Sequence, residues 1–99
     1  MNYVYILRCA DDTLYCGWTT DIEKRLAAHN SGNGAKYTRS RGPVALVYLE
    51  EHEDRHDALS REWHIKRMSR EEKIRLVKRY EEADADHDMT SSADIPVTH

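Results

Sequence analysis

The sequence contains few cysteines, and it has no long apolar run. Its 99 residues include two cysteines, Cys9 and Cys16. Two thiols exclude a four-cysteine zinc site, and without an export signal they favour a reduced chain over a disulfide scaffold. No segment approaches the roughly 18 apolar residues of a membrane span, and no basic segment precedes the apolar start as in a secretory signal. We therefore expect a cytoplasmic protein with no membrane partner.

Basic residues are also absent from the end of the chain. All 15 Lys and Arg lie in residues 1–79 with 12 of the 18 acids, a net charge of +3, whereas residues 80–99 carry the other six acids, a net charge of −6. A segment of acid, Ser and Thr with almost nothing apolar cannot build a core. We predict one folded domain over residues 1–80 and a disordered acidic tail over 81–99.

The apolar pattern of the folded part predicts three strands. Residues 3–7 are rich in aromatic and β-branched side chains on both alternating faces, which is typical of a central strand covered on both sides. Residues 14–18 return after a turn at 10–13, so the start of the chain forms a hairpin. Residues 44–49 form the third strand.

Capping signals divide the remainder into three helices. A capping box at residues 20–23 starts the first, which ends near residues 30–32. Asp54 caps the second, which runs to about Met68. A second capping box at residues 69–72 opens the third, which ends at about Tyr80. Residues 31–42 are predicted to be a loop rich in Gly, Asn and basic side chains.

Charged side chains interrupt the apolar stripes of the first two helices. In the first helix, Arg25 and His29 share a face with Ile22 and Leu26. In the second, Glu62 falls in the middle of the apolar stripe at about 100° per residue. That stripe consists of Ala58, Leu59, Trp63 and Ile65.

A carboxylate in that position costs several kcal/mol to bury unless it is paired. The partner of Glu62 could be Arg25, Lys66 or a metal ion. A structural salt bridge explains one such charge equally simply. However, the interrupted stripes cover the strands that carry Tyr5 and Tyr15, and a convergence of this kind is less usual for a salt bridge alone.

These residues, taken in order along the chain, resemble the GIY-YIG nuclease family, and among its members the small stand-alone bacterial proteins of the YhbQ-like type. The resemblance covers about residues 2–77. It rests on residues 3–5 (YVY), residues 15–17 (YCG), Arg25 and His29, then Glu62, and it is strengthened by residues 32–38 (GNGAKYT) and 61–66 (REWHIK). Tyr3 and Cys16 depart from the family name at packing positions, and Trp18 stands where some nuclease relatives carry Lys.

The resemblance implies an α+β fold with a small three-stranded antiparallel sheet flanked by about three helices. It also implies hydrolysis of a phosphodiester bond with one divalent ion, Mg²⁺ or Mn²⁺. The implied catalytic residues are Tyr5, Tyr15, Arg25, His29 and Glu62.

Each implied role has a physical reason. A single carboxylate, Glu62, can hold Mg²⁺ while waters and phosphate oxygens complete its coordination, and Arg25 can bind the phosphate bidentately. Tyr5 and Tyr15 are both candidates for the residue that deprotonates the attacking water. For either, lowering a pKa near 10 by about two units needs roughly 3 kcal/mol of favourable charge interaction. His29 could orient a tyrosine or bind the phosphate.

A shared site constrains the hairpin. If Tyr5 and Tyr15 face one pocket, odd-numbered residues of one strand must lie opposite odd-numbered residues of the other. Cys9 then lies on the tyrosine face and Cys16 on the opposite face, so the two thiols cannot form a disulfide.

The expected partner is nucleic acid, DNA before RNA, bound by a chain that is expected to be monomeric. We predict binding directed by charge and shape, because no pattern of aromatics indicates a platform for stacking bases. The residues expected to contact it are Lys36, Tyr37, Arg39, Arg41 and Lys66. The alternative is a non-catalytic nucleic-acid-binding or accessory module in DNA repair or processing.

A more remote alternative is a zinc hydrolase. Residues 52–56 match the H-E-x-x-H signature literally. That motif needs both imidazoles on one helix, one turn apart, whereas His52 lies at the end of a predicted strand and Asp54 is the predicted cap of the following helix.

Overall fold

The predicted three-stranded sheet is present in the structure, a computed structural model that describes residues 1–94. Strand β1 is central, and it pairs antiparallel with β2 on one side and β3 on the other. The α+β fold is thus confirmed. Over these residues the chain forms β1 (Asn2–Arg8), β2 (Leu14–Thr19), α1 (Ile22–Asn30), α2 (Lys36–Arg39), β3 (Ala45–His52), α3 (Arg55–Lys66) and α4 (Arg70–Asp94).

Both faces of β1 are buried, as predicted for a central strand. Val4 and Ile6 pack with Ala58 and Ile65 of α3 and with part of α4. On the other face, the odd-numbered side chains of β1 pack against α1 through partly buried Ile22 and Leu26. The sheet is therefore enclosed between α1 on one face and α3 and α4 on the other.

The predicted hairpin register is also confirmed. Tyr5 lies opposite Gly17, and Leu7 lies opposite Tyr15. Cys9 packs on the tyrosine face and Cys16 in the cluster on the opposite face, and both thiols are buried and unbridged.

The caps of the helices are confirmed in two cases and shifted in one. Asp54 caps α3 by accepting from the His56 amide at 2.8 Å. The capping box before α4 is formed, since the Glu72 amide donates to Ser69 Oγ at 3.2 Å and the Ser69 amide donates to Glu72 Oε1 at 3.1 Å. The cap of α1 is Asp21 and not Thr20, because the extended Asp21 backbone lets its carboxylate accept from the Lys24 amide at 3.1 Å.

Several predicted boundaries differ from the structure. The predicted loop at 31–42 contains the four-residue helix α2, β3 extends to His52, and α3 ends at Lys66. Helix α4 continues to Asp94, past the predicted end at Tyr80. Residues 95–99 lie outside the described residues, and the division at residue 80 stays a prediction.

A polar cluster fixes α3 against β3. Arg61 Nε donates to both Glu50 carboxylate oxygens, at 2.8 and 3.1 Å, and His52 Nε2 lies 2.8 Å from Glu50 Oε1. The Tyr48 hydroxyl donates to the same carboxylate. Burial works to raise the pKa of Glu50, but these three partners outweigh it and hold the pKa below its usual 4.5. The cluster therefore joins α3 to β3 through polar and charged side chains.

Of the helices in residues 1–94, none combines the length and the apolar character that crossing a membrane requires.

Candidate functional site

Tyr5 is the buried centre of the tyrosine face. Its side chain is only 1% exposed, and its ring lies across Gly17 of the neighbouring strand. A Cβ at position 17 would stand 2.5 Å from the Tyr5 hydroxyl and 2.7 Å from the ring carbon that bears it. The missing side chain of Gly17 thus makes room for the phenol.

A directed chain of hydrogen bonds starts at the Tyr5 hydroxyl. Tyr5 Oη lies 3.0 Å from His29 Nε2, and His29 Nδ1 lies 2.7 Å from Thr38 Oγ1. Thr38 donates its only hydroxyl proton to the Ala35 carbonyl at 3.0 Å, so Thr38 Oγ1 must accept from His29 Nδ1–H. In a neutral imidazole Nε2 is then the acceptor, and Tyr5 donates its proton to it.

The neutral state of His29 follows from its surroundings. The side chain is 1% exposed. Burial, with a smaller contribution from the positive charge of Arg25, lowers the pKa of His29 below its ordinary 6.5. Of the two predicted roles for His29, orienting a tyrosine fits this geometry, whereas a fully buried imidazole cannot reach a phosphate in solution.

Arg25 extends the chain toward solvent. Its Nε donates to Tyr5 Oη at 3.4 Å. The hydrogen bond to Tyr5 raises the pKa of Arg25, burial opposes this, and the Tyr15 hydroxyl contributes in the raising direction. Every donor from Arg25 to Thr38 points the same way, and such chains polarise each other. The guanidinium is therefore held in one orientation beside two tyrosines.

The expected lowering of the tyrosine pKa does not occur at Tyr5. Burial raises the pKa of the Tyr5 hydroxyl above its ordinary 10.0, and this outweighs the opposing effect of Arg25. The physical reason is that one cation at 3.4 Å does not replace the water that the phenol loses on burial. In this state Tyr5 is a neutral hydrogen-bond donor.

The segment after α1 closes over His29. Gly34 lies against the imidazole, and a Cβ there would stand 2.8 Å from His29 Cα. Thr38, on α2, is 1% exposed. The glycine-rich approach and the short helix together place the Thr38 hydroxyl on the buried side of His29.

Tyr15 lies at the more open side of the same cluster and is partly buried. Its ring centroid is 5.4 Å from that of His29 and 5.8 Å from that of Tyr37, with which it stacks at 24°. Lys66 Nζ, from α3, lies 5.8 Å from the Tyr15 ring centroid. Tyr15 is thus the contact between the buried chain and the side chains of α2 and α3.

Glu62 is turned toward the protein. Its side chain is 17% exposed, and its carboxylate Oε2 lies 3.6 Å from Lys66 Nζ. Lys66 is one of the three predicted partners, and through it Glu62 is linked to Tyr15. Its negative charge also reaches Cys16, where burial first and Glu62 second raise the pKa of the thiol to about 12.

The residues predicted to contact nucleic acid are placed in different ways. Lys36 and Arg39 lie on α2, and both are exposed. The Arg41 guanidinium lies 4.1 Å from the Tyr37 ring centroid, donates to the Tyr37 carbonyl at 2.7 Å and pairs with Asp11 at 3.1 Å. Arg41 therefore positions Tyr37 next to Tyr15.

The donor set suits a metal that takes few protein ligands. Among the side chains of residues 1–83, no three of His, Cys, Asp or Glu come together as a metal-binding group. A lone carboxylate such as Glu62 fits Mg²⁺, which keeps several waters and is completed by phosphate oxygens. The same arrangement does not suit a structural zinc ion, which needs four protein ligands.

The H-E-x-x-H match does not form a zinc site. His52 is the last residue of β3 and is engaged by Glu50, whereas His56 lies in the first turn of α3 and is exposed. Asp54, the cap between them, interrupts the helix that the motif requires.

The sequence reasoning missed three residues that build the site. Gly17 admits the Tyr5 ring, Gly34 admits His29, and Thr38 fixes the tautomer of His29. Residues 32–38 carried the signal, because a buried threonine in a basic, glycine-rich segment needs a polar partner. The sequence also places Trp63 in the core, but its side chain is 54% exposed.

Comparisons with known proteins indicate the family of the chain. Residues 1–75 match the family model described as the GIY-YIG catalytic domain. A UPF0213 protein of Syntrophus aciditrophicus is 62% identical over 78 residues, which cover 78% of this chain and 90% of that protein. A UPF0213 protein of Clostridium perfringens is 58% identical over 77 residues, which cover 78% of this chain and 83% of that protein.

Two solution NMR structures share the fold. That of a UPF0213 protein from Bacillus halodurans has a TM-score of 0.53 and 47% identity, and the match covers 79% of this chain and 84% of that one. That of a protein from E. faecalis has a TM-score of 0.56 and 40% identity, with coverage of 81% and 85%. Because the family model matches residues 1–75 and the relatives from Syntrophus and Clostridium are 58–62% identical over most of the chain, the chain belongs to the GIY-YIG family and, within it, to the UPF0213 proteins.

Proposed function

We propose that the chain is an endonuclease that hydrolyses phosphodiester bonds in DNA, with one Mg²⁺ or Mn²⁺ ion and little sequence specificity. The observation that carries the proposal is the hydrogen-bond chain from Arg25 through Tyr5 and His29 to Thr38. It places a guanidinium beside two phenols, one of which, Tyr5, also belongs to the apolar cluster on that face. A purely structural salt bridge needs no such directed chain.

Arg25 is the proposed phosphate ligand. Its Nε is occupied by Tyr5, so the Nη groups are the ones that can donate to two phosphate oxygens. The buried chain behind it keeps the guanidinium from rotating away, which lowers the entropy lost when a phosphate binds. Tyr5, His29 and Thr38 are positioning residues in this scheme.

Tyr15 is the proposed acceptor of the proton from the attacking water. Tyr5 is buried and already donates to His29, whereas Tyr15 is partly exposed and has cations on two sides, Arg25 and Lys66. The water oxygen bonds to phosphorus as the bond to the 3′ oxygen breaks. The Tyr15 oxygen takes the water proton as its own phenolic proton passes to solvent, and the 3′ oxygen is protonated by solvent. An ion held by Glu62 would polarise the phosphate and neutralise charge on the leaving oxygen.

The test uses conservative variants and three DNA forms. Labelled branched, single-stranded and duplex DNA, with an RNA control, are incubated with and without Mg²⁺. Glu62→Gln should abolish cleavage, whereas Glu51→Gln, a change at an exposed glutamate of β3, should not affect it. Tyr15→Phe should lower kcat by about 10²–10⁴-fold, the usual contribution of an acid–base group, and Tyr5→Phe should act mainly on phosphate binding.

The outcomes separate the proposal from its alternative. Metal-dependent cleavage that Glu62→Gln loses and Glu51→Gln keeps supports an endonuclease. Binding of DNA by all variants without cleavage would instead identify a non-catalytic nucleic-acid-binding module.

The two unbridged, buried thiols fit a reducing compartment, and we propose a cytoplasmic location on that ground.

A further inference from the structure

The outward face of α3 differs in composition from its other sides. Ala58 and Ile65 point into the core. At about 100° per residue, the opposite side of this helix carries two cations, Lys66 and Arg67, near Trp63 and one carboxylate, Asp57, at its far edge. This outward face consists of His56, Leu59, Ser60, Trp63, Lys66 and Arg67, with Asp57 and His64 at the far edge.

Trp63 is the centre of the outward face. Its side chain is 54% exposed, and Leu59, one turn earlier, is 37% exposed. The Arg67 guanidinium lies 4.4 Å from the Trp63 ring centroid, and the His64 ring packs edge-on at 5.1 Å. An indole on a helix, held by neighbours and more than half open to solvent, is a rigid surface for stacking a planar group.

The outward face adjoins the proposed catalytic site. Lys66 is three residues after Trp63, so the two side chains are neighbours on the helix surface. The same Lys66 pairs with Glu62 at 3.6 Å and reaches the Tyr15 ring at 5.8 Å. A ligand that spans Trp63 and Lys66 therefore continues directly into the site.

We propose that the outward face of α3 binds an unpaired nucleotide next to the cleaved phosphodiester, with its base stacked on Trp63 and its phosphates near Arg67 and Lys66. This inference rests on the proposed function and specifies its substrate class: nucleic acid with a single-stranded segment beside the cut. In an intact duplex each base is already stacked and paired, so its π-face is not available to Trp63.

Charge and chemistry together select this occupant. Lys66 and Arg67 beside Trp63 complement a phosphate backbone, and base–aromatic stacking is the sequence-tolerant contact that suits low specificity. This proposal departs from the expectation that no aromatic platform exists. The exposed position of Trp63, and not its presence in the sequence, is what indicates stacking.

The test measures binding in the absence of metal, so it does not depend on cleavage. Labelled oligothymidylate, oligouridylate and a blunt DNA duplex are titrated with the wild type and with Trp63→Leu, Trp63→Phe and Ile74→Ala by fluorescence anisotropy in EDTA. The control residue is Ile74, an apolar residue of α4 whose exposure is similar to that of Leu59 on α3. Circular dichroism checks that each variant folds.

We expect Trp63→Leu to weaken single-strand binding by about 5–150-fold, the range of one base–aromatic stack. Trp63→Phe should keep most of the affinity, and binding of the duplex should be unchanged. The thymidylate and uridylate arms show whether the segment is DNA or RNA.

The proposal would be overturned if Trp63→Leu lost affinity equally for single strands and duplex, or if it lost no affinity at all. Self-association of the wild type in sedimentation velocity that Trp63→Leu abolishes, with single-strand binding intact, would overturn it in favour of a protein contact. If the Trp63 effect is seen while no substrate is cleaved, the binding face stands and the proposed nuclease activity fails. If the wild type cleaves DNA and Trp63→Leu cleaves every substrate as well as the wild type does, the nuclease activity stands and the proposed binding face fails.

Discussion

A single methyl group at position 17 is expected to disable the candidate site without removing any of its functional groups. In Gly17→Ala the new Cβ would lie 2.5 Å from the Tyr5 hydroxyl, almost an ångström closer than ordinary contact, which begins at 3.4 Å. The ring cannot easily move aside, because Tyr5 is 1% exposed. The phenol must therefore shift, and its 3.0 Å hydrogen bond to His29 Nε2 is the first to break.

The size of the effect follows from the displacement. Overpacking a well-packed core costs about 1–3 kcal/mol, which lowers the Tm of a domain of this size by about 5–20 °C. A misplacement of about 1 Å in a positioning element lowers kcat/KM by about 100-fold. Both effects should appear together, because they have the same cause.

The assay combines thermal unfolding by circular dichroism with cleavage of labelled single-stranded DNA in Mg²⁺. Gly42→Ala is the matched control, because nothing lies within 4 Å of a Cβ at that position. A Gly17→Ala protein with the wild-type Tm would refute the close packing of Tyr5 on Gly17. A normal rate despite a lowered Tm would refute the role of Tyr5 in positioning Arg25.

Three further predictions concern protonation and the polar cluster. The pKa of His29 is lowered in the folded state, so the unfolded state binds the proton first, and the free energy of unfolding should fall as pH drops below about 6.5. In urea titrations from pH 7 to 5, His29→Gln should flatten this dependence of the unfolding free energy on pH. An unchanged dependence would contradict a neutral, buried imidazole. The Cys16 thiol, with a pKa raised from the ordinary 9.0 to about 12, should resist iodoacetamide at pH 8 in the native protein and react on unfolding; rapid native labelling, read by mass spectrometry with Cys9 as the internal comparison, would disprove its burial. Arg61→Met should destabilise the fold by about 1–3 kcal/mol, because Glu50 loses a charged partner in a half-buried place; Glu50→Gln in the same background should recover part of that loss, and strict additivity in urea unfolding would show that the pair is not coupled.

The sequence was informative where one interaction dominates. The register of the hairpin follows from placing Tyr5 and Tyr15 on one face, since strand side chains alternate strictly. The Ser69 capping box is equally local, as both of its hydrogen bonds lie within four residues. The predicted convergence of Arg25 and His29 on the tyrosine face succeeded because a helix stripe with two apolar anchors has only one inward direction.

The sequence failed where two solutions of similar local energy compete. Trp63 and Leu59 shifted the predicted core direction of α3 toward themselves, whereas Ala58 and Ile65 are the residues that face the sheet. In addition, Arg61 of α3 donates to Glu50 of β3. That interaction joins residues 11 apart along the chain, and no local pattern encodes it. Thr20 and Asp21 were likewise both acceptable caps, and only the backbone conformation at Asp21 decides between them.

The site of Thr38 illustrates a different limit. A threonine in a basic segment has no periodicity that marks it as buried, and its partner His29 lies nine residues earlier. Its role becomes evident only when the short helix α2 is seen to fold back over α1. The tautomer of His29, and with it the direction of the whole hydrogen-bond chain, depends on that one hydroxyl.

The ion pair between Arg61 and Glu50 also restricts how the number of residues in α3 can change. A single inserted residue between Asp54 and Arg61 would rotate everything after it by about 100° relative to the cap. Either the Arg61–Glu50 ion pair would break, or the first turn of α3 after its cap would unwind to accommodate the extra residue. We therefore expect insertions and deletions to be tolerated after Tyr80 but not between Asp54 and Arg61. In a library of random insertions and deletions screened for folding, no folded variant should carry a length change between those two residues.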